Sequence, residues 1–122
     1  MDRWESQYQF WASFGVPAYE ENSVPDETEV SYPYITFPRV LGGFGGRTNV
    51  TPSIYDKSFS WERADALANA VYNALENGGA TIDYDGGQIW IIRDDDNFAN
   101  GIGNPDDDMI RRLRLSVFYD FS

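Results

Sequence analysis

Residues 60–79 read SWERADALANAVYNALENGG and form the segment around which the rest of the chain is organised. Ser60 is a good N-cap, and Glu62 places negative charge in the first turn, where the helix dipole favours it. Apolar residues recur at the spacing of one buried helical face: Ala64, Leu67, Ala68, Val71 and Leu75. Gly78-Gly79 ends the pattern, since glycine takes the left-handed conformation that closes a helix. These signals predict a helix over residues 61–77 whose alanines pack closely on a sheet.

The composition is that of an acidic chain of 122 residues, with a net charge of −11 and with neither cysteine nor histidine. The length indicates one domain over residues 1–122. Without cysteine and histidine, disulfides, thiolate chemistry and the commonest general base are excluded. The negative charge argues against a protein that binds nucleic acid by neutralising phosphates. No apolar run approaches the ~18 residues of a membrane span, so we expect neither secretion nor membrane insertion.

The basic residues are almost all arginine, with eight arginines against the single Lys57, and aromatic residues make up 16% of the chain. Arginine pairs bidentately with carboxylates and stacks on aromatic rings, and both residue types are enriched at protein interfaces. This usage favours an obligate assembly over the alternative of a small core that simply uses aromatics.

Residues 2–14 predict a second helix, in which Asp2 and Glu5 have the spacing of a capping box. Gly15-Val16-Pro17 ends this helix because proline cannot continue it. The apolar face of the helix is wide and consists of Trp4, Tyr8, Trp11 and Ala12, with Phe10 and Phe14 beside them. The acidic, proline-bearing segment of residues 17–31 is predicted to be a surface loop.

Five strands are predicted around the two helices, at residues 32–40, 47–59, 80–84, 88–93 and 109–121. Pro33 and Pro38 make the first of them an edge strand or a bulged strand. Residues 41–46 form a glycine-rich connection without the lysine of a phosphate-binding loop. Asp85-Gly86-Gly87 marks a hairpin turn, and residues 94–108 are predicted to be a long polar loop.

The element order α-β-β-α-β-β-β predicts an α+β fold, with a mostly antiparallel sheet of about five strands and two helices packed on one face. The other face should then be polar, yet several aromatic residues and arginines fall on it. An apolar patch with arginines beside it indicates a subunit interface. The candidate interface residues are Tyr32, Tyr34, Trp90, Ile92, Phe118, Arg112 and Arg114. The alternatives are a different strand register or cover by the first helix.

Two runs of aspartate are the only candidates for catalysis or cation binding: Asp94, Asp95 and Asp96, and Asp106, Asp107 and Asp108. They lack the glycine and the distal glutamate of an EF-hand loop, so we interpret them as solvated, field-generating loops. No catalytic residue, metal ligand or cofactor is predicted. Asp108 alternatively begins the last strand, or pairs with Arg111 or Arg112.

Taken in order, five segments of the chain resemble the tail terminator (tail completion) proteins of siphovirus-type bacteriophages. They are Phe10–Tyr19, Tyr32–Phe37, Ser60–Trp61, Gly86–Ile91 and Asp106–Arg112. The resemblance implies a structural, non-enzymatic virion protein that forms a homo-hexameric ring on the finished tail tube, stops tube polymerisation and presents the surface that docks to the head. It implies the tail tube protein and the head-completion or connector protein as partners, and a location at the head-proximal end of the tail.

In such a ring, the candidate acidic loop (Asp94, Asp95, Asp96, Asp106, Asp107 and Asp108) is expected to face the central channel or its rim. There, like charge keeps the passing DNA from adhering. Two other functional classes remain open, namely a head-completion or neck connector ring and a carboxylate-based hydrolase. A ring measured by native mass spectrometry would exclude most hydrolase interpretations, whereas only a binding experiment with tube and capsid separates the two kinds of ring.

Overall fold

The computed structural model describes residues 1–26, 28–40, 42, 46–103 and 109–122. In these residues the chain forms two helices and nine strands. In chain order they are α1 (Arg3–Ala12), β1 (Ala18–Glu20), β2 (Tyr34–Phe37), β3 (Arg47–Val50), β4 (Ser53–Lys57), α2 (Glu62–Ala74), β5 (Ala80–Tyr84), β6 (Gly87–Arg93), β7 (Ala99–Gly103), β8 (Ile110–Leu115) and β9 (Val117–Phe121).

The strands form two sheets in place of the single predicted one. The first sheet has five strands in the order β1-β2-β4-β8-β7, and the second has four in the order β3-β9-β6-β5. The β1–β2 pair is parallel, and the other described pairs are antiparallel. The α+β class and the mostly antiparallel pairing are therefore confirmed, with more strands than the sequence predicted.

Two predicted strands each divide between the two sheets. Residues 47–59 form β3 and β4 on either side of Thr51-Pro52, and residues 109–121 form β8 and β9 on either side of Ser116. Both strands change sheet together, because β3 pairs with β9 and β4 pairs with β8. Pro52 has no N–H to give to a ladder, while the Ser116 N–H donates to the Phe98 carbonyl at 2.7 Å.

Side-chain alternation continues through this bend. Leu113, Leu115, Val117 and Tyr119 are all buried, as one continuous strand would require. Alternation therefore holds over the whole segment, whereas the prediction of one unbroken strand was wrong.

The described residues also correct three loop and edge predictions. Residues 17–31, predicted to be a surface loop, contain β1, and residues 94–108 contain β7. β2 is not an edge strand, since β1 and β4 flank it and all four of its residues are buried. β1 and β7 are extended because they pair with neighbouring strands. Their own β propensity is weak, so the sequence did not predict them as strands. The glycine-rich connection falls largely on residues 41 and 43–45, outside the described residues.

Helix α1 begins as predicted, with the Asp2 carboxylate accepting the Glu5 N–H at 2.8 Å. Its buried face differs from the predicted one, because Ser6 and Gln7 are buried while Tyr8 is 45% exposed. The Ser6 hydroxyl donates to the Asp83 carbonyl at 2.8 Å, and Gln7 Nε2 donates to the Val40 carbonyl at 2.6 Å. Polar side chains are buried here because they satisfy the backbone of neighbouring segments.

Helix α2 buries the predicted face of Ala64, Leu67, Ala68 and Val71, and Leu75 follows it into the core. It is shorter than predicted and ends at Ala74, and the chain then turns through Asn77, Gly78 and Gly79 with positive φ angles. Trp61 occupies the N-cap position, although the Ser60 hydroxyl does accept the Glu62 N–H at 3.1 Å.

Both helices pack on the same side of the sheets, as predicted. On α1, Trp4 stacks on Phe37 of the first sheet at 5.1 Å, and Trp11 Nε1 donates to the Tyr119 hydroxyl of the second sheet at 2.8 Å. On α2, Arg63 binds the buried Asp56 of β4. One buried cluster joins residues of both helices and both sheets. Each sheet therefore has an inner face toward the helices and an outer face away from them.

Candidate interaction surface

The outer face of the first sheet is built by alternate residues of its five strands. Register places Tyr34, Tyr55, Arg112 and Ile102 in one row across β2, β4, β8 and β7. The next row contains Thr36, Ser53, Arg114 and Asn100, and Tyr19 of β1 lies beside Thr36. Thr36 and Ser53 are buried at the centre of this face, whereas Arg114 is exposed.

Four tyrosines form a contiguous cluster on this face. The Tyr34 ring lies at the centre, with centroid distances of 5.7 Å to Tyr19, 5.4 Å to Tyr32 and 5.2 Å to Tyr55, on which it stacks. The Arg112 guanidinium lies 5.4 Å from the Tyr55 centroid, and its Nε donates to the Ser53 hydroxyl at 3.2 Å. Each aromatic pair contributes about 0.5–1.5 kcal/mol beyond its buried area, so the rings and the guanidinium are held in fixed positions.

The charge of this face is opposite to that of the chain. Its outward-facing strand positions carry Lys57, Arg112 and Arg114 and no aspartate or glutamate, although the whole chain has 20 acidic residues and a net charge of −11. Asp56 lies on β4 but faces inward, where it binds Arg63. We call the surface formed by Tyr19, Tyr32, Tyr34, Tyr55, Lys57, Arg112 and Arg114 the basic tyrosine face.

The outer face of the second sheet is different in character. Arg47, Asp120, Trp90 and Thr81 form one row, and Asn49, Phe118 and Ile92 form the next. The Trp90 side chain is 39% exposed, the Arg47 guanidinium lies 5.3 Å from the Trp90 ring centroid, and Trp90 Nε1 donates to the Gly78 carbonyl at 2.6 Å. We call the surface formed by Arg47, Trp90, Ile92, Phe118 and Asp120, with Asp83 at its edge, the tryptophan face.

The seven predicted interface residues thus lie on two surfaces. Tyr32, Tyr34, Arg112 and Arg114 belong to the basic tyrosine face, and Trp90, Ile92 and Phe118 belong to the tryptophan face. All seven lie away from the helices, so the predicted side is retained. The sequence does not identify Tyr19, because its segment has the acidic, proline-bearing composition of a loop, and Tyr55 was not predicted either. The alternation of Ser53, Tyr55 and Lys57 was the signal for Tyr55.

Arginine–aromatic stacking within the subunit accounts for much of the unusual arginine usage. Among the described residues, six of the eight arginines lie over aromatic rings: Arg3, Arg39, Arg47, Arg93, Arg111 and Arg112. A guanidinium that stacks by its face keeps its in-plane N–H groups available for carboxylates. Stacking therefore orients these arginines without using up their hydrogen-bonding edge.

The predicted acidic loop is only partly a set of solvated carboxylates. Asp94 is half-buried, and its carboxylate accepts the Ser116 hydroxyl at 3.0 Å, so it helps to hold the bend between β8 and β9. Asp95 pairs with Arg93 at 3.2 Å, and Asp96 is exposed. Asp106, Asp107 and Asp108 lie outside the described residues. Within the described ranges, no three acidic side chains are grouped so that they could hold a metal ion.

A groove of about 560 Å³ opens between α1 and β1, lined by Trp4, Tyr8, Tyr19, Glu20 and Arg39, among others. The Arg39 guanidinium lies 4.8 Å from the Trp4 ring centroid. The Glu20 carboxylate accepts the backbone N–H of Asn22 at 3.0 Å and the hydroxyl of Ser23 at 3.0 Å. Its oxygens therefore stabilise the turn that follows β1.

Comparison of the chain with protein-family models, curated proteins and solved structures finds no match in any of the three. Neither helix of the described chain is long and apolar enough to cross a membrane.

Proposed function

We propose that the protein is a structural subunit of a phage virion that assembles into a hexameric ring on the tail tube, stops tube polymerisation and provides the head-docking surface. The observation that supports this proposal is the presence of two unlike outer faces, a basic tyrosine face and a tryptophan face, on one subunit. A closed ring is built from heterologous contacts, in which one surface of each subunit binds a different surface of the next.

The alternative of a two-fold dimer is disfavoured by the charges. An isologous contact through the basic tyrosine face would bring Arg112 and Arg114 of one copy against the same arginines of the other. Like charges across an interface are costly, whereas two unlike faces avoid that cost. Head-to-tail association is thus the arrangement that these surfaces favour.

The tail-capping role is supported by the resemblance to tail terminator proteins. Where the structure describes them, the segments that carry this resemblance form the α1–β1 connection, β2, the residues that precede α2, the β5–β6 hairpin and the start of β8. They include buried residues such as Trp11 and Ile89, and also residues of the two outer faces such as Tyr34 and Trp90. A terminator must bind the end of a tube without offering the same surface to a further ring, and short edge strands such as β1 discourage further edge addition.

Deletion of the encoding gene from the phage tests the proposal. We expect heads that are filled but unjoined, and tail tubes that grow beyond their normal length, because nothing caps the growing end. Electron micrographs of the lysate measure both. Wild-type protein supplied in trans should restore tail length. Tails of normal length on leaky or empty heads would replace tail termination with the head-connector function.

A second experiment addresses the hydrolase alternative. A hydrolytic activity of the purified protein that Asp94→Asn abolishes, with assembly intact, would contradict a purely structural role. Asparagine keeps an oxygen that can accept the Ser116 hydroxyl bond, so this variant separates chemistry from folding.

A further inference from the structure

We infer that the basic tyrosine face of one copy binds the tryptophan face of the next copy. This inference rests on the proposed ring and specifies which surfaces meet in it. It makes the contact heterologous, so that each subunit uses both faces once. Neither face pairs with itself.

The charges of the two faces are complementary. Each copy carries a net charge of −11, so two copies repel one another unless local charges of opposite sign meet. The basic tyrosine face has no acidic residue at its outward-facing strand positions, whereas the tryptophan face has two, Asp120 in the same row as Arg47 and Asp83 at its edge, against that one arginine. The carboxylates of Asp83 and Asp120 on one copy therefore meet the basic tyrosine face of the next copy.

The residue types of the two faces also favour their contact. Tyrosine, tryptophan and arginine are the residues most enriched among interface hot spots. Trp90 remains 39% exposed in the isolated subunit although its indole N–H is already bonded to Gly78, so its apolar surface is what stays accessible. Phe118 and Ile92 lie beside it and are half-buried. Burial of this apolar surface against tyrosine rings removes it from water.

Central side chains of both faces are already fixed in the isolated subunit. Arg112 is held by the Tyr55 ring and the Ser53 hydroxyl, and Trp90 is held by Arg47 and the Gly78 carbonyl. Side chains that are already fixed lose little conformational entropy on association. Both faces are therefore preorganised for association in the isolated subunit.

Two half-interface variants test the pairing. Arg114→Glu reverses the charge of an exposed residue on the basic tyrosine face, and Trp90→Ala removes the anchor of the tryptophan face. Each variant alone is expected to lose the ring, with self-association weakened by about 30-fold or more, the effect of a hot-spot residue. Mixed together, they retain one intact pair of faces and should form a heterodimer of twice the 13.9 kDa subunit mass, but no ring.

Two control variants show whether a loss of assembly is specific to substitutions on the two faces. Arg39→Glu makes the same charge change on the α1 side, and Phe59→Ala removes a ring that is 75% exposed in the loop before α2. Both controls should assemble like the wild type. Urea unfolding of every variant confirms that the monomers stay folded. Sedimentation velocity from micromolar to millimolar concentration, with and without purified tail tubes, measures the species.

The outcomes are distinguishable. Rings of Arg114→Glu or Trp90→Ala at wild-type concentration, or a mixture that stays monomeric while the wild type forms rings, would overturn the pairing and leave the proposed ring standing. A wild type that stays monomeric at every concentration and on tail tubes would overturn both. Duplex DNA binding that Arg114→Glu abolishes without affecting assembly would reassign the basic tyrosine face to nucleic acid.

Discussion

The buried ion pair between α2 and the first sheet gives an asymmetric prediction. Asp56 is completely buried on β4, and Arg63 in the first turn of α2 is 56% exposed. Arg63 binds the carboxylate with two hydrogen bonds, Nη2 to Oδ1 at 2.7 Å and Nε to Oδ2 at 3.1 Å. The Lys57 backbone N–H donates to the same carboxylate at 2.9 Å. The two partners are therefore unequal in their access to water.

Removing Arg63 and removing Asp56 should lower the free energy of unfolding by different amounts. Arg63→Ala leaves a buried carboxylate with one backbone donor, a situation that costs about 3–5 kcal/mol in the free energy of unfolding. Asp56→Asn leaves an arginine that can turn toward water, and the lost charged hydrogen bonds cost about 1.5–3 kcal/mol. The positive charge of Arg63 near the helix N-terminus is itself unfavourable by about 0.3–1 kcal/mol, which offsets a small part of the first cost.

Urea unfolding followed by tryptophan fluorescence and circular dichroism measures these differences. The double variant Asp56→Asn/Arg63→Ala should be more stable than Arg63→Ala alone, because residue 56 then carries no buried charge. Arg39→Ala, at an exposed site outside both faces, serves as the control for loss of an arginine. If Asp56→Asn destabilises the protein as much as Arg63→Ala does, the cost does not come from an unpaired buried charge and the reasoning is wrong.

Three further predictions concern stability. Gly79→Ala should destabilise the protein more than Gly78→Ala, as measured by thermal unfolding, because both have positive φ but a Cβ at Gly79 also collides with the carbonyl oxygen of a neighbouring strand. Tyr119→Phe should cost about 1–3 kcal/mol by urea unfolding, since a buried indole N–H loses its acceptor. The hydrogen bond and ion pair with Asp85 raise the pKa of the Met1 amino group above its ordinary value of 8.0. The stability contributed by this pair is complete below pH 8.0 and is lost as the pH rises through the raised pKa, so urea midpoints of the wild type and Asp85→Asn should converge at alkaline pH.

Local signals were sufficient for the elements that depend on their own sequence. The periodic face of α2 from Ala64 to Val71, the Asp2 cap of α1 and the Asp85-Gly86 turn were all found, because each is fixed by residues a few positions apart. Strand alternation also holds through the last segment, where Leu113, Leu115, Val117 and Tyr119 are buried. On the candidate site, the sequence assigned Arg112, Arg114 and Phe118 to the side away from the helices.

Pairing between distant segments determined the parts of the fold that local signals did not predict. β1 and β7 are strands because β2 and β8 lie beside them, and Gln7 is buried because the Val40 carbonyl is there to accept its amide. The division of the predicted interface into two faces follows from the bend at Pro52 and Ser116, where two paired strands pass from one sheet to the other. Neither the bend nor the strand pairs on either side of it can be predicted from one segment, since the hydrogen-bonding partners of each strand lie far away in the sequence. The tertiary structure therefore determined that Arg112 and Arg114 lie on a different surface from Trp90.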